Sequence, residues 1–287
     1  MQSGNAWALQ PLADMTTDEF NDWQKLLEAR SGMVVSEQRR SFLQVHLSAR
    51  MRELGIADYA GYYQQVIDGP KGAIEWMLLL ERLTIQETRF FRHPESFAVV
   101  SRLLTEKVHA DPSPASLSLW SVGCASGEEA WSLAICAAEV VRRAPEKTEF
   151  AVTATDISHN ALRKARQATY DPRRMHKVPE ALLEHYFTQQ ADGKYQVVSS
   201  LAKRLCFARL NMLDLAQAPI LGMDVIFCQN VLIYFRRWQR REILNHLVAR
   251  LTPGGMLVVG VGEVAGWQHP DLEPVADEGV LAFTRKG

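Results

Sequence analysis

The sequence predicts an α/β fold: a mostly parallel sheet with an all-α region ahead of it and a small β appendage inserted in it. Three observations lead there. Up to about residue 85, apolar residues recur only at helical spacing. From residue 116 onward, short strand-like runs alternate with helical stretches. One segment, about 170–204, fits neither pattern. At 287 residues the chain is long for one compact domain and suits two, placed here at 1–85 and 86–287.

Thr16, with Glu19 three residues on, has the form of a capping box, and Phe20, Trp23 and Leu27 follow at helical spacing until Gly32. Ser36 is expected to cap a second helix, in which Leu43, Leu47, Met51 and Leu54 make one apolar stripe before Gly55. Asp58 opens a third helix ending at Gly69-Pro70, and Ala73–Leu83 reads as a fourth. Strands are expected at Ser116–Val122, Glu149–Thr155, Leu205–Leu210, Met223–Cys228, Met256–Val261 and Val280–Arg285. Helices are expected at Glu128–Arg143, Ser158–Ala168 and Trp238–Arg250. The last strand follows Gly266–Glu278 without a clear helix, so an antiparallel entry is expected. In the irregular segment, Tyr170-Asp-Pro, a short helix around Pro179–Phe187, a turn at Asp192-Gly193 and an alternating run at Lys194–Val198 suggest the appendage. Asp111-Pro-Ser-Pro is the best linker-like stretch, although it lies inside the second domain.

Apolar residues make up 47% of the chain, enough for a sizeable core, and the net charge of −1 gives no overall basic footprint for nucleic acid. Cys124, Cys136, Cys206 and Cys228 show no C-x-x-C spacing, which suits a reduced cytoplasmic protein. The N-terminus has tryptophan and acids where a leader would be basic then apolar, and apolar runs such as Trp76–Leu80 are too short to span a membrane. The histidines, His46 and His93 among them, show no metal-ligand spacing, so no metal is expected.

The first strand runs into Val122-Gly-Cys-Ala-Ser-Gly127-Glu-Glu before a helix. Glycines such as Gly123 let the backbone turn tightly and let a ligand approach it. The spacing is neither a Walker loop nor a dinucleotide fingerprint. Glu128 and Glu129 stand at the helix N-terminus, where a phosphate would otherwise prefer to bind. Acid there repels pyrophosphate and suits a cationic ligand such as a sulfonium or amino group, or it complements the helix dipole. Asp156 closes the second strand, placed to accept hydrogen bonds from ribose hydroxyls, or to cap the next helix. Adenosine binding without phosphate binding points to S-adenosylmethionine. At the fourth strand end, Gln229, Asn230 and Tyr234 approach the same crevice, with a core tyrosine and a capping asparagine as the plainer reading. Upstream, Arg92 beside two phenylalanines is a surface side chain, a cover for the cofactor, or a grip on an incoming carboxylate.

Taken together these pieces resemble the chemotaxis receptor glutamate methyltransferase (CheR-type) family across nearly the whole chain. The residues that carry the resemblance are Glu87-Thr-Arg-Phe-Phe-Arg92, Gly127-Glu-Glu, Ala154-Thr-Asp-Ile157, Arg209-Leu-Asn-Met212 and Phe227-Cys-Gln-Asn-Val-Leu-Ile-Tyr-Phe235. The resemblance implies a class I, Rossmann-like S-adenosylmethionine methyltransferase that esterifies glutamate side chains of a chemoreceptor and releases S-adenosylhomocysteine. It implies a cofactor site made from Gln86, Thr88, Arg92, a glutamate of the Gly-Glu-Glu turn, Asp156, Asn211, Met212, Cys228, Gln229 and Asn230, with Arg92 and Tyr234 flanking the methyl group. Several positions depart from the family's commoner pattern. Gln86 replaces a frequent asparagine, Gln229 a usual arginine, Ala130-Trp131 a Pro-Tyr pair, and Gly260-Val-Gly-Glu263 a usual His-Ser-Glu. A shorter segment around Ala191–Lys194 predicts recognition independent of a tether pentapeptide, and the overall pattern looks closest to the type IV pilus, PilK-like, branch.

Receptor methylation regions are acidic helices, so a basic docking face is expected. Arg39, His46 and Arg50 fall on one face of the second helix, with Arg40 and Arg52 nearby. Three alternatives are a methyltransferase with another substrate, a nucleotide-dependent oxidoreductase, which the acidic Gly loop disfavours, and a non-catalytic receptor-binding scaffold that keeps the fold. An aminomethyltransferase of nucleic acid would want an Asp/Asn-Pro-Pro-aromatic run where this chain has Gln-Asn-Val-Leu. Gln229 and the altered Gly260–Glu263 segment are what favour the scaffold.

Overall fold

A computed structural model describes residues 13–84, 86–110, 116–145 and 147–287. The extreme N-terminus, Ile85 and the linker-like Asp111-Pro-Ser-Pro lie outside the described residues. The chain divides into two compact units, 1–85 and 86–287.

The described part of the first unit is helical: α1 (Thr17–Ser31), α2 (Arg40–Leu54), α3 (Tyr59–Ile67) and α4 (Gly69–Leu83). Thr16 and Glu19 form the reciprocal capping box, and Gly32 and Gly55 end α1 and α2 in the left-handed conformation. Trp23, Leu27, Leu43, Leu47, Met51, Tyr62 and Leu79 are fully buried. Two expectations need correction. Ser36 makes no side-chain cap; it precedes a 3-10 turn, Glu37–Arg39, and α2 begins only at Arg40. Gly69-Pro70 opens α4, whereas α3 stops at Ile67. Proline lacks an N–H and has its φ preset, so it suits a first helical turn as well as it ends a helix.

The second unit opens with a strap, 86–92, and α5 (Pro94–Ala110), a helix the sequence reading left out. Then come β1 (Ser116–Val122), α6 (Glu128–Arg143), β2 (Glu149–Asp156) and α7 (His159–Gln167). The appendage holds β3 (Thr169–Tyr170), α8 (Pro172–Met175), α9 (Glu180–Tyr186), β4 (Phe187–Gln189), β5 (Tyr195–Val197) and α10 (Ser199–Ala202). Its three strands form their own antiparallel sheet, separate from the main one. The chain finishes with β6 (Leu205–Arg209), β7 (Met223–Cys228), α11 (Arg237–Val248), β8 (Leu251–Val259), β9 (Leu272–Pro274) and β10 (Leu281–Arg285).

Among the described residues the main sheet runs β6-β2-β1-β7-β8-β10-β9, parallel as far as β8, with β10 antiparallel to β8 as expected. Alternate residues serve opposite faces. Leu117 and Leu119 pack with Phe97, Val100 and Ile135, while Trp120 and Val122 pack with Leu244 and Leu247. Connections from β1 lead outward through β2 to β6, and the return through β7 and β8 lies on the other side. The strand order therefore reverses between β1 and β7, which opens a crevice at their carboxyl ends.

Candidate active site

β1 delivers the chain into the turn 123–127. The Gly123 and Cys124 N–H groups both donate to the Thr155 carbonyl, at 2.8 and 2.9 Å, tying the turn to the end of β2. Gly127 has φ 96°, and a Cβ there would stand 2.7 Å from Ala165 Cβ and 3.0 Å from the Tyr170 hydroxyl. Glycine is therefore required both by backbone conformation and by space. Ala125, also left-handed at φ 47°, pays about 1–2 kcal/mol for it. Asp156 holds it there. Its Oδ2 accepts the Ala125 N–H at 2.9 Å and its Oδ1 the Ser158 N–H at 2.8 Å, so the acid builds the crevice wall while staying half-buried.

The two glutamates after Gly127 part company. Glu128 is fully buried, accepts the Ser126 hydroxyl at 2.7 Å and is ion-paired with Arg174 of the appendage. Its carboxylate is thus engaged by partners within the protein, Arg174 standing 46 residues away. Glu129 is half-buried beyond the end of β1. Burial pushes its carboxyl up to about 8, against a 2.7 Å hydrogen bond from the Ser121 hydroxyl. The nearby Glu263 and Asp156 push it further up, and Arg92 opposes them.

The strap is pinned by Phe90 and Phe91, both buried, with Phe90 edge-on to Tyr170 and Phe187. The Phe91 N–H donates to the Ser132 hydroxyl at 3.0 Å, and Gln86 Nε2 donates to the Ser158 hydroxyl at 2.9 Å. Arg92 is anchored by a 2.9 Å hydrogen bond from Nη1 to the Glu87 carbonyl, and Thr88 lies half-buried between them.

After β7, Cys228 is wholly buried and burial pushes its thiol well up. Gln229 is also buried. Its Nε2 donates to the Ser96 hydroxyl at 3.0 Å and to the Val259 carbonyl at 3.2 Å, so its side chain joins α5 to β8. A neutral amide suits this interior position, where a guanidinium would carry a desolvation cost. Asn230 is left-handed at φ 60°, and Tyr234 follows in a 3-10 turn, Leu232–Tyr234, in place of a helical one. Asn211 caps the 3-10 turn Met212–Gln217 through the Leu213 N–H at 3.2 Å, with Met212 buried behind it.

Arg174 and His93 were not read as site residues from the sequence, and Glu263 was read only as part of a departure from the family pattern. Arg174 carried no signal. His93, set aside for want of metal spacing, places Nε2 3.4 Å from Asn230 Nδ2, and burial, then Arg92, hold its pKa below the usual imidazole range. Glu263 is buried with its carboxylate against the Asn230, Ile233 and Gly260 amides. An acid inside an apolar strand-end run was the signal that could have found it.

The proposed docking side chains are placed differently from one another. Arg39 is exposed, stacked over Phe42 at 5.5 Å. Arg40 binds the Met15 carbonyl and Glu37. His46 is half-buried, its pKa lowered by burial and by Arg82. Arg50 makes a paired contact with buried Glu75, at 2.8 and 2.7 Å, and a further one with Glu53. Burial alone would push the Glu75 carboxyl up, but hydrogen bonds from Arg50 and Tyr62 outweigh it and hold the carboxyl below its ordinary value. Among the described residues no helix is long and apolar enough to cross a membrane, and no group of three metal-ligating side chains occurs.

A family model described as "CheR methyltransferase, SAM binding domain" matches residues 86–279, and "CheR methyltransferase, all-alpha domain" matches 18–84. Chemotaxis protein methyltransferase 2 of Vibrio cholerae is 30% identical over 251 residues, covering 87% of this chain and 86% of that protein. The chemotaxis protein methyltransferase of Escherichia coli is 31% identical over 247 residues, covering 85% and 83% respectively. That of Klebsiella aerogenes is 31% identical over 269 residues, covering 91% and 89%.

Proposed function

Since the chain belongs to the CheR methyltransferase family, and is an S-adenosylmethionine-dependent methyltransferase of chemoreceptors, we propose that it esterifies glutamate side chains on their cytoplasmic methylation helices. One observation carries the reading of the site: Asp156 and Glu129 place acid at the carboxyl ends of β2 and β1, beside a turn with no phosphate fingerprint. That donor set fits a cationic nucleoside. Asp156 suits the ribose hydroxyls, Glu129 the cationic end of the ligand, and the strap residues Gln86, Thr88 and Arg92 its cover.

S-adenosylmethionine, when bound, supplies a methyl group on a positively charged sulfur. The acceptor glutamate is already ionised, with an ordinary pKa of about 4.3, so the protein needs no general base. Its work is alignment. Arg92, held by the Glu87 carbonyl, orients the incoming carboxylate, and Tyr234 donates to the oxygen that does not attack. Arg39 contributes to docking of the acidic receptor helix, and recognition proceeds without a tether peptide. The relatives named above are chemotaxis enzymes, and none carries a pilus name.

The two features that favoured a non-catalytic scaffold lose their weight, because Gln229 is a core residue and Glu263 braces the site. The test is calorimetric titration with S-adenosylhomocysteine, followed by transfer of labelled methyl groups to receptor cytoplasmic fragments. Base-labile label on glutamates is expected. Cofactor binding with no transfer to any receptor fragment would overturn the acceptor assignment.

A further inference from the structure

We propose that Glu263 is a positioning residue for methyl transfer, its buried carboxylate setting the conformation of residues 229–235 and so the placement of Asn230 and Tyr234. The inference rests on the reading of those two residues as parts of the active site. Glu263 is 4% exposed. Its Oε2 accepts the Asn230 N–H at 3.0 Å and the Gly260 N–H at 2.9 Å, and its Oε1 accepts the Ile233 N–H at 3.3 Å. Only an acceptor-only group can take three converging N–H donors; a glutamine would turn its own NH2 against one of them.

The complement comes from Arg240 of α11. Its Nε donates to the Phe235 carbonyl at 2.8 Å, its Nη1 to the Glu263 carbonyl at 3.1 Å and its Nη2 to the Ile233 carbonyl at 3.3 Å. The segment is thus held by its amides from one side and its carbonyls from the other. Asn230 needs such a hold, being left-handed without the freedom of glycine. Space for the carboxylate exists only because residue 260 is glycine: a Cβ there would stand 2.1 Å from Glu263 Oε2 and 2.6 Å from its Cδ. All three bonds lie beyond the ends of β7 and β8, on the crevice side, so their loss should spare the sheet.

The test compares wild type with Glu263→Gln, Gly260→Ala, Glu263→Ala and the double variant Gly260→Ala/Glu263→Ala. It measures backbone hydrogen exchange, melting temperature, S-adenosylhomocysteine binding, and kcat and KM on receptor fragments. Glu263→Gln and Gly260→Ala should each speed exchange in 229–235 while β7 and β8 stay protected. Each should lower kcat about tenfold or more, with any loss of S-adenosylhomocysteine affinity following from the displaced Asn230. In the Glu263→Ala background, Gly260→Ala should add nothing, since the clash has gone. Unchanged kcat in Glu263→Gln, additive effects of the two substitutions, or exchange rising across the whole sheet in step with a fall in melting temperature would each overturn the proposal. A wild type inactive on every receptor fragment would count against the acceptor assignment, while the exchange difference alone would still decide whether Glu263 clamps the segment.

Discussion

Asp156 holds Ala125 and Ser158 by their amides, and in the proposed site it also binds the ribose hydroxyls. Asp156→Ala should therefore weaken S-adenosylhomocysteine binding about a hundredfold, the worth of two hydrogen bonds to a charged group, and Asp156→Asn should lose less. Calorimetry on both variants checks this, and equal affinities in all three proteins would remove Asp156 from the site. Glu129 leads to a pH dependence. Its folded pKa, about 8, lies above the ordinary 4.5, so its contribution to stability is full below about 4.5 and is lost as pH rises through about 8. A cationic ligand favours the carboxylate, so binding at pH 7 should release a proton. The rise in melting temperature on adding S-adenosylmethionine should be larger at pH 8 than at pH 6, and Glu129→Gln should flatten that difference. Calorimetry in buffers of different ionisation enthalpy reads the proton directly.

Turns and caps, more than strands, carry the element-scale consequences. Gly127→Ala combines a left-handed φ with a 2.7 Å approach to Ala165, so about 3 kcal/mol or more of stability should go, together with cofactor binding. Thr16→Ala removes the capping box of α1 and should cost about 1 kcal/mol while leaving cofactor affinity unchanged. Urea unfolding followed by calorimetry separates these two outcomes. The capping box was legible in advance because both partners lie within one turn, as were β1, β7 and α6, whose patterns are strong and continuous. β9 was not, because three residues carry too little periodicity, and α5 went unread for all its length.

At the scale of the whole molecule the helical unit and the α/β unit make separable predictions. Arg39 is exposed, and Arg39→Glu should raise KM for receptor fragments, more so at low salt, with S-adenosylhomocysteine affinity unchanged. An unchanged KM at all salt concentrations would exclude it from docking. Arg50 is a poor test of the same idea. Removing it leaves Glu75 buried without its guanidinium, about 3–5 kcal/mol of destabilisation that would masquerade as lost docking. What the sequence determined by itself is what short spacing encodes: the change from helical to alternating patterning near residue 85, the strands that lead to Gly123, Asp156 and Asn230, and the family to which those motifs belong. Only the tertiary structure decided which polar side chains are engaged, and by what. Glu128 is spent on Arg174, Arg50 on Glu75 and Gln229 on Ser96, while Glu129 meets the Ser121 hydroxyl and Glu263 the Asn230 amide. The physical reason is that secondary structure follows from neighbours along the chain, whereas a buried polar group is settled by whichever partner the fold brings to it, and for Arg50, Glu128 and Gln229 those partners stand 25 to 133 residues away.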